Sequence, residues 1–489
     1  MTRRVIILLS LVALTACLVT LPTARADGVS HARIVRLSYT HGDVQYRREE
    51  ASGAPAQAGW QQALVNTPLR EGMSLATGDG VAEVEFESGA MVWMASNTEL
   101  ELPGLSMEDG AKRTELAVTR GTATIYVNPA KHDSFEVRAG QLVVATPEGA
   151  RFRVDVFDDG ASMSLFHGTV KVTANGATQK LSGHKTLSVR NAAAATVSAN
   201  PHSDAWDHWV SDRSDAIGTA RVATTDMLSA PFDYGLSDLS FYGGWMNVAG
   251  YGLGWQPYGA MPGWSPFYYG YWDAFGPFGP TWISAEPWGW LPYHYGGWVN
   301  SPVQGWVWVP GNLGAGAWSP ATVSWVQSPT GVGWVPKAPR DTPTGTPANL
   351  SHGVITNTVA GMLAHAPNSM VQASQIAGVR AAGNWTENAA LVRFSQQAEA
   401  QGHAAIRPAT GFAHSALRMP EGPAPRIATA GTYAGQMQRF SPPMARGGAG
   451  NVYRPGGASY GGMRGSGGMQ GGASRTHAES GGGGVREKP

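Results

Sequence analysis

The strongest constraint on this chain is a tryptophan repeat. Thirteen of its eighteen Trp fall between residues 233 and 339, at 245, 255, 264, 272, 282, 288, 290, 298, 306, 308, 318, 325 and 334. From Phe241 to Pro336 the only Asp, Glu, Lys or Arg are Asp273 and Glu286. The string Trp264-Ser-Pro-Phe-Tyr-Tyr-Gly-Tyr-Trp272 matches Trp290-Leu-Pro-Tyr-His-Tyr-Gly-Gly-Trp298 at an offset of 26, and Trp282 and Trp308 each follow ten residues later. Trp245 and Trp255 keep the ten-residue gap and Trp325 and Trp334 a nine-residue one, so about four copies of one unit are present. Such periods mark stacked supersecondary units. Each unit reads as a β-hairpin. Trp298-Val299 and Trp306–Val309 flank a turn over residues 300–305. Trp306 and Trp308 are two apart and point to one face. Glycine leaves room for indoles to lie across a neighbouring backbone. The proline of Trp-x-Pro, which occurs six times, ends a strand because it has no N–H to donate. One hairpin is marginal alone, whereas several together bury their indoles.

The preceding segment, 31–192, alternates with a period of two. Val81–Phe86 presents a charged outer face, and Thr122–Val127, Phe135–Arg138, Arg151–Val156, Met163–Phe166 and Thr169–Thr173 follow the same rule. Glycine turns separate these runs, which predicts a mainly β sandwich or roll. In the connecting stretch 203–232, a short helix is expected behind an N-cap at Ser203. Trp206, Trp209, Val210 and Arg213 form its apolar stripe, with the two Trp docked on a neighbouring sheet.

At the N-terminus Arg3 and Arg4 precede an apolar run, Val5 to Leu21, and then Ala24-Arg25-Ala26. This is the pattern of a secretory signal over 1–26. Leu14-Thr15-Ala16-Cys17 resembles a lipobox and offers an alternative, lipid attachment at Cys17. Removing Arg3, Arg4 and Arg25 leaves 32 basic against 35 acidic residues and no Cys, so neither a disulfide framework nor a Cys-based zinc module is expected. No other apolar run is long enough to span a bilayer. The expected location is therefore periplasmic or secreted. Residues 340–440 read as Ala/Pro-rich and partly ordered, and 441–489 as a disordered Gly-rich tail.

Leu69-Arg-Glu-Gly-Met-Ser-Leu-Ala-Thr-Gly78-Asp79, the strand ending at Phe86, and Ser88-Gly89-Ala-Met-Val-Trp93 resemble the FecR domain, with Phe166-His-Gly168-Thr-Val-Lys-Val172 as closing strands. The likeness covers roughly 40 to 190. Tyr242-Gly-Gly-Trp245, Glu286-Pro-Trp-Gly-Trp290, Gly305-Trp-Val-Trp-Val-Pro-Gly311 and Val332-Gly-Trp-Val-Pro336 resemble domain of unknown function 6600. The resemblance implies an exported, β-rich envelope protein with no catalytic residues carried over. FecR proteins are best known as periplasmic sensors that signal through a membrane helix, and this sequence shows no internal segment of that kind.

Chemistry is sparse in the sequence. The balanced charge gives no basic footprint for nucleic acid. The thirteen His show no metal spacing, so no metal, cofactor or catalytic group is assigned. Asp155, Asp158 and Asp159 read as a solvated strand end rather than a cation site. Asp273 and Glu286, two carboxyl groups among aromatics, are what a glycosidase needs, but they read as a strand end and an exposed turn. His294 reads as a cap or a ring-stacked side chain. Most indoles read as core, with Trp264, Tyr269, Trp272, Trp290, Tyr295 and Trp298 as candidate ligand-contact aromatics. Two functions follow: a non-enzymatic envelope binding or scaffold protein with an unidentified protein partner, or a cell-wall or exopolysaccharide binder using exposed rings.

Overall fold

The computed structural model describes residues 33–48, 59–191, 193–199, 203–258, 264–274, 279–313, 317–328, 331–343, 345–356, 371–372 and 380–381. The expected signal over 1–26, Cys17, most of 340–440 and the tail over 441–489 lie outside the described residues.

Among these residues, sixteen strands between Val35 and Ala199 form a two-faced sheet. One face runs Pro68–Leu69, Val35–His41, Val81–Phe86, Met91–Met94, the second part of Ala111–Val127, Ala150–Phe157, the first part of Gly160–Ala174, Lys185–Arg190 and Thr196–Ala199. The other face runs Gln61–Gln62, Val44–Arg48, Met73–Thr77, Glu99–Glu108, the first part of Ala111–Val127, Ser134–Ala139, Leu142–Ala145, the second part of Gly160–Ala174 and Ala177–Ser182. Between them lies an aliphatic core that includes Leu37, Val84, Phe86, Ile125, Phe152 and Val172. The expected strands Met163–Phe166 and Thr169–Thr173 are one continuous strand. It crosses from one face to the other at Gly168, where φ is +84° and an added Cβ would stand 2.0 Å from the Gly149 carbonyl oxygen. Glycine there bends the ladder without breaking it.

The helix is longer than expected. α1 (Ala205–Thr225) has 21 residues, and its N-cap is Asp204 rather than Ser203. Asp204 and Asp207 exchange side-chain-to-backbone hydrogen bonds at 3.1 Å in a capping box. Trp206, Trp209, Val210 and Ile217 pack on Tyr39, Met91 and Trp93 of the first face, as the stripe predicted. α2 (Leu236–Tyr242) follows and leads into the tryptophan module.

The four hairpins are present. Their strands are Gly243–Val248 with Gly252–Pro257, Gly270–Ala274 with Pro280–Ser284, Gly297–Ser301 with Gly305–Val309, and Val323–Ser328 with Gly331–Pro336. In each, the spaced tryptophans are direct cross-strand partners: Trp245 with Trp255, Trp272 with Trp282, Trp298 with Trp308, and Trp325 with Trp334. The Trp255 and Trp282 rings lie over Gly243 and Gly270, where an added Cβ would come within 2.1 and 2.6 Å of them. The hairpins do not form one uniform stack. The first and third join through Trp255 and Trp308 into a four-stranded sheet, and the second stands as a two-stranded sheet. The fourth belongs to a five-stranded sheet with Val354–Thr356, Val371–Gln372 and Arg380–Ala381. Trp-x-Pro closes a strand after Trp255, Trp308 and Trp334, but Trp290-Leu-Pro opens a short helix, α3 (Trp290–His294), where proline in the first turn is tolerated. Trp264 and Trp318 lie outside strands.

Candidate functional site

The chemistry-bearing residues concentrate where the first face meets α1, α2 and the tryptophan module. Alternation in Val81–Phe86 sends Val84 and Phe86 to the core and Glu83 and Glu85 outward. That outer face is charged, as the pattern predicted, but it is not solvated: Glu83 is 2% exposed and Glu85 4%. Helices cover it and bring partners. Glu83 accepts from Arg213 Nε and Nη2 at 2.8 and 3.0 Å, from Trp93 Nε1 at 2.8 Å and from Ser38 Oγ at 2.8 Å. Burial works against its ionisation, but the Arg213 charge and these donors outweigh it and hold its pKa below the ordinary value.

Arg36 is the second hub. Its Nε donates to Glu85 Oε2 at 2.8 Å and its Nη1 to Asn66 Oδ1 at 3.1 Å. Its Nη2 lies 2.6 Å from Glu85 and 2.7 Å from Asp238 Oδ2, and its guanidinium sits over the Trp290 ring at 5.8 Å. The Gly235 N–H, just before α2, also donates to Glu85. Burial pushes the Asp238 carboxyl up to about 7, with Arg36 opposing and Glu85 adding to the shift. Asn66 extends the network by donating to the Ser284 and Glu286 carbonyls at 3.2 and 2.8 Å.

Several expectations are corrected here. Glu286 is buried rather than at an exposed turn. Its carboxyl accepts from Trp264 Nε1 at 2.7 Å and from the Tyr293 hydroxyl, and burial pushes its pKa up to about 8. Asp273 instead pairs with Arg48 of the first body. The two carboxyl groups thus serve different partners. Asp155 is not a solvated strand end: it is buried and accepts from Thr122 Oγ1 and Arg153 Nε, each at 2.8 Å. Among the described residues no group of three or more His, Cys, Asp or Glu is arranged to hold a metal ion. His294 stacks on Trp318 at 5.4 Å and 18°, with Nδ1 2.8 Å from the Ser319 carbonyl oxygen; burial lowers its pKa to about 4.

The candidate ligand-contact rings are largely core. Tyr269 is 9% exposed, Trp272 6%, Trp290 1%, Tyr295 3% and Trp298 0%. Trp264 is half-buried and meets Trp298 edge to face at 5.6 Å and 64°. Trp272 does the same with Trp282 at 5.4 Å and with Trp334 at 5.3 Å. Such T-shaped contacts favour a packed interior over a flat stacking platform. Among the described residues of the module, Tyr258 is the exposed large aromatic, at 69%.

Sequence reasoning passed over the Arg36, Glu85 and Asp238 cluster. A partial signal was present: Arg213 continues the apolar stripe of Trp206, Trp209 and Val210, and a cation on a buried stripe requires a buried acid.

Two kinds of β segment in series define the described chain, and comparison with known proteins identifies both. The FecR protein family matches residues 73–171, and the family of unknown function DUF6600 matches residues 236–341. Both resemblances read from the motifs hold, in that order. No curated protein matches the chain. Among solved structures, a crystal structure of a protein provisionally described as an anti-sigma factor, from Parabacteroides distasonis ATCC 8503, is 19% identical with a TM-score of 0.24. It covers 29% of this chain, which spans 63% of that one. A second crystal structure under the same description is 17% identical, covers 32% of this chain and 73% of that one, and has the same TM-score of 0.24. The mainly β assignment therefore rests on the strands themselves and on the family matches. No helix among the described residues is long and apolar enough to cross a membrane.

Proposed function

We propose that this is a non-enzymatic envelope protein whose FecR body and tryptophan module act together as one recognition platform for a protein partner, in a sensor or scaffold role. The observation that carries this reading is where the reactive and aromatic side chains are used. Arg36 and Glu85 of the sheet meet Asp238 of the module, Glu83 meets Arg213 of the connecting helix α1, and the indoles fill the module's interior. The match to FecR, a family of envelope proteins, supports the location, periplasmic or secreted, with lipid attachment at Cys17 as the alternative.

The test is photo-crosslinking in cells from exposed positions, with Tyr258, Val303 and Val197 as sites. A discrete protein adduct from one side of the platform supports the reading. Sedimentation of the exported chain with purified peptidoglycan, lost on Tyr258→Ala, would instead support polysaccharide binding. Accumulation of unprocessed precursor under globomycin would place the lipid on Cys17.

A further inference from the structure

We propose that Asp238 is a proton-operated latch between the FecR body and the tryptophan module: a protonated carboxyl favours the docked arrangement and an ionised one loosens it. This adds regulation to the platform proposed above and rests on that reading only for its consequence, because docking is measured without any partner.

Three carboxyl groups (Glu83, Glu85, Asp238) meet two guanidinium groups (Arg36, Arg213) in one buried layer. Arg213 is committed to Glu83 through two hydrogen bonds. Arg36 must then serve both remaining acids, and Glu85 takes the better share, with Arg36 Nε and the Gly235 N–H directed at it. Asp238 Oδ2 lies 2.7 Å from Arg36 Nη2, the same nitrogen that stands 2.6 Å from Glu85 Oε2. The charged groups facing it are Arg36 and Glu85 from two strands of the first face and Arg213 from α1. A buried carboxyl that shares its nearest cation with a second carboxylate is stabilised by a proton.

The proton belongs to the docked state alone. When α2 leaves the sheet, water solvates Asp238 and its affinity for protons returns to the ordinary value of 3.8. Its pKa is raised in the docked state, so the stabilisation is complete below the ordinary value. It falls roughly tenfold in the docking constant per pH unit as pH rises towards the docked value, then levels off.

The experiment is urea unfolding of the intact chain across pH, from about 5 to about 8, with hydrogen exchange of residues 236–242 as the local readout. Wild type is expected to lose stability and protection of α2 as pH rises. Asp238→Asn, neutral at every pH, should lose that part of the dependence. Glu286 contributes equally to both proteins, so the difference between their curves reports Asp238. Glu85→Gln leaves Arg36 to Asp238 alone and should move the dependence to lower pH. Identical pH dependence in wild type and Asp238→Asn overturns the proposal. If Asp238→Asn does not fold, a wild-type curve that is flat, or a Glu85→Gln curve that matches wild type, overturns it equally. Failure to find a partner would leave this result intact, and failure of the latch would leave partner recognition intact.

Discussion

Arg213→Met tests whether the outer face of the FecR sheet is truly dry. The substitution removes both hydrogen bonds to Glu83, at 2.8 and 3.0 Å, and the guanidinium that sits 4.5 Å from the Tyr39 ring centre. Methionine keeps most of the apolar stem, so little packing is lost. Glu83 retains only Trp93 and Ser38 as donors. Removing one partner of a buried ion pair costs about 3–5 kcal/mol, because a charge stays buried without compensation. Adding Glu83→Gln removes that charge and keeps a carbonyl for the Trp93 donor. The double variant should therefore cost only about 1–2 kcal/mol. The assay is urea unfolding at neutral pH, where a slope of about 3 kcal/mol per molar puts the single variant's midpoint roughly 1 M or more below wild type. The sign with pH also follows. The lowered pKa of Glu83 means its contribution is present above the ordinary value of 4.5 and is lost as pH falls through the lower folded value. The gap between wild type and Arg213→Met should therefore narrow in acid. A single-variant cost under about 1 kcal/mol, or a double variant no better than the single, would refute the argument and mean that water reaches Glu83.

The tryptophan module offers a steric test in Gly243→Ala. Its new Cβ would fall 2.1 Å from the Trp255 ring, so a loss of about 1–3 kcal/mol and a changed near-ultraviolet circular dichroism signal are expected. Trp298→Ala, at a fully buried cross-strand partner of Trp308, should cost about 3–5 kcal/mol, whereas Tyr258→Ala should change the melting temperature little. Glu286→Gln should be nearly neutral below about pH 4.5, where the wild-type carboxyl is protonated in the folded and the unfolded chain alike. It should abolish the loss of stability that wild type shows as pH rises from the ordinary 4.5 towards about 8, so the variant becomes the more stable protein over that range, which a pH series of melting temperatures checks. Asp204→Ala removes the capping box and a 2.8 Å contact with Arg153, and about 1–2 kcal/mol of stability should go with them in urea unfolding.

Much of this architecture is legible residue by residue. The ten-residue spacing of Trp272 and Trp282, or of Trp298 and Trp308, is a hairpin register written into the chain, because strands and tight turns have fixed lengths. The alternation of Val81–Phe86 assigns Val84 and Phe86 to one side and Glu83 and Glu85 to the other for the same local reason. Trp206, Trp209 and Val210 likewise announce a helix that must dock. The passage of one strand between both faces at Gly168 was less visible, since a bend that keeps its ladder has no turn signature.

What lies outside a residue's own segment is another matter. Period-two alternation says that Glu83 and Glu85 leave the core, but not whether water or a helix meets them on the far side. That depends on Arg213, 130 residues away, and on Asp238. Likewise, composition alone could assign Asp273 and Glu286 to a common aromatic setting, but only the packed structure directs one to Arg48 and the other to Trp264 and Tyr293. Local sequence determined the strands, the hairpins and which side of a strand each residue takes, because those follow from backbone geometry over a few residues. Tertiary structure alone decided which charges are buried and which cation each acid shares, because desolvation and pairing are set by whatever distant surface closes over them.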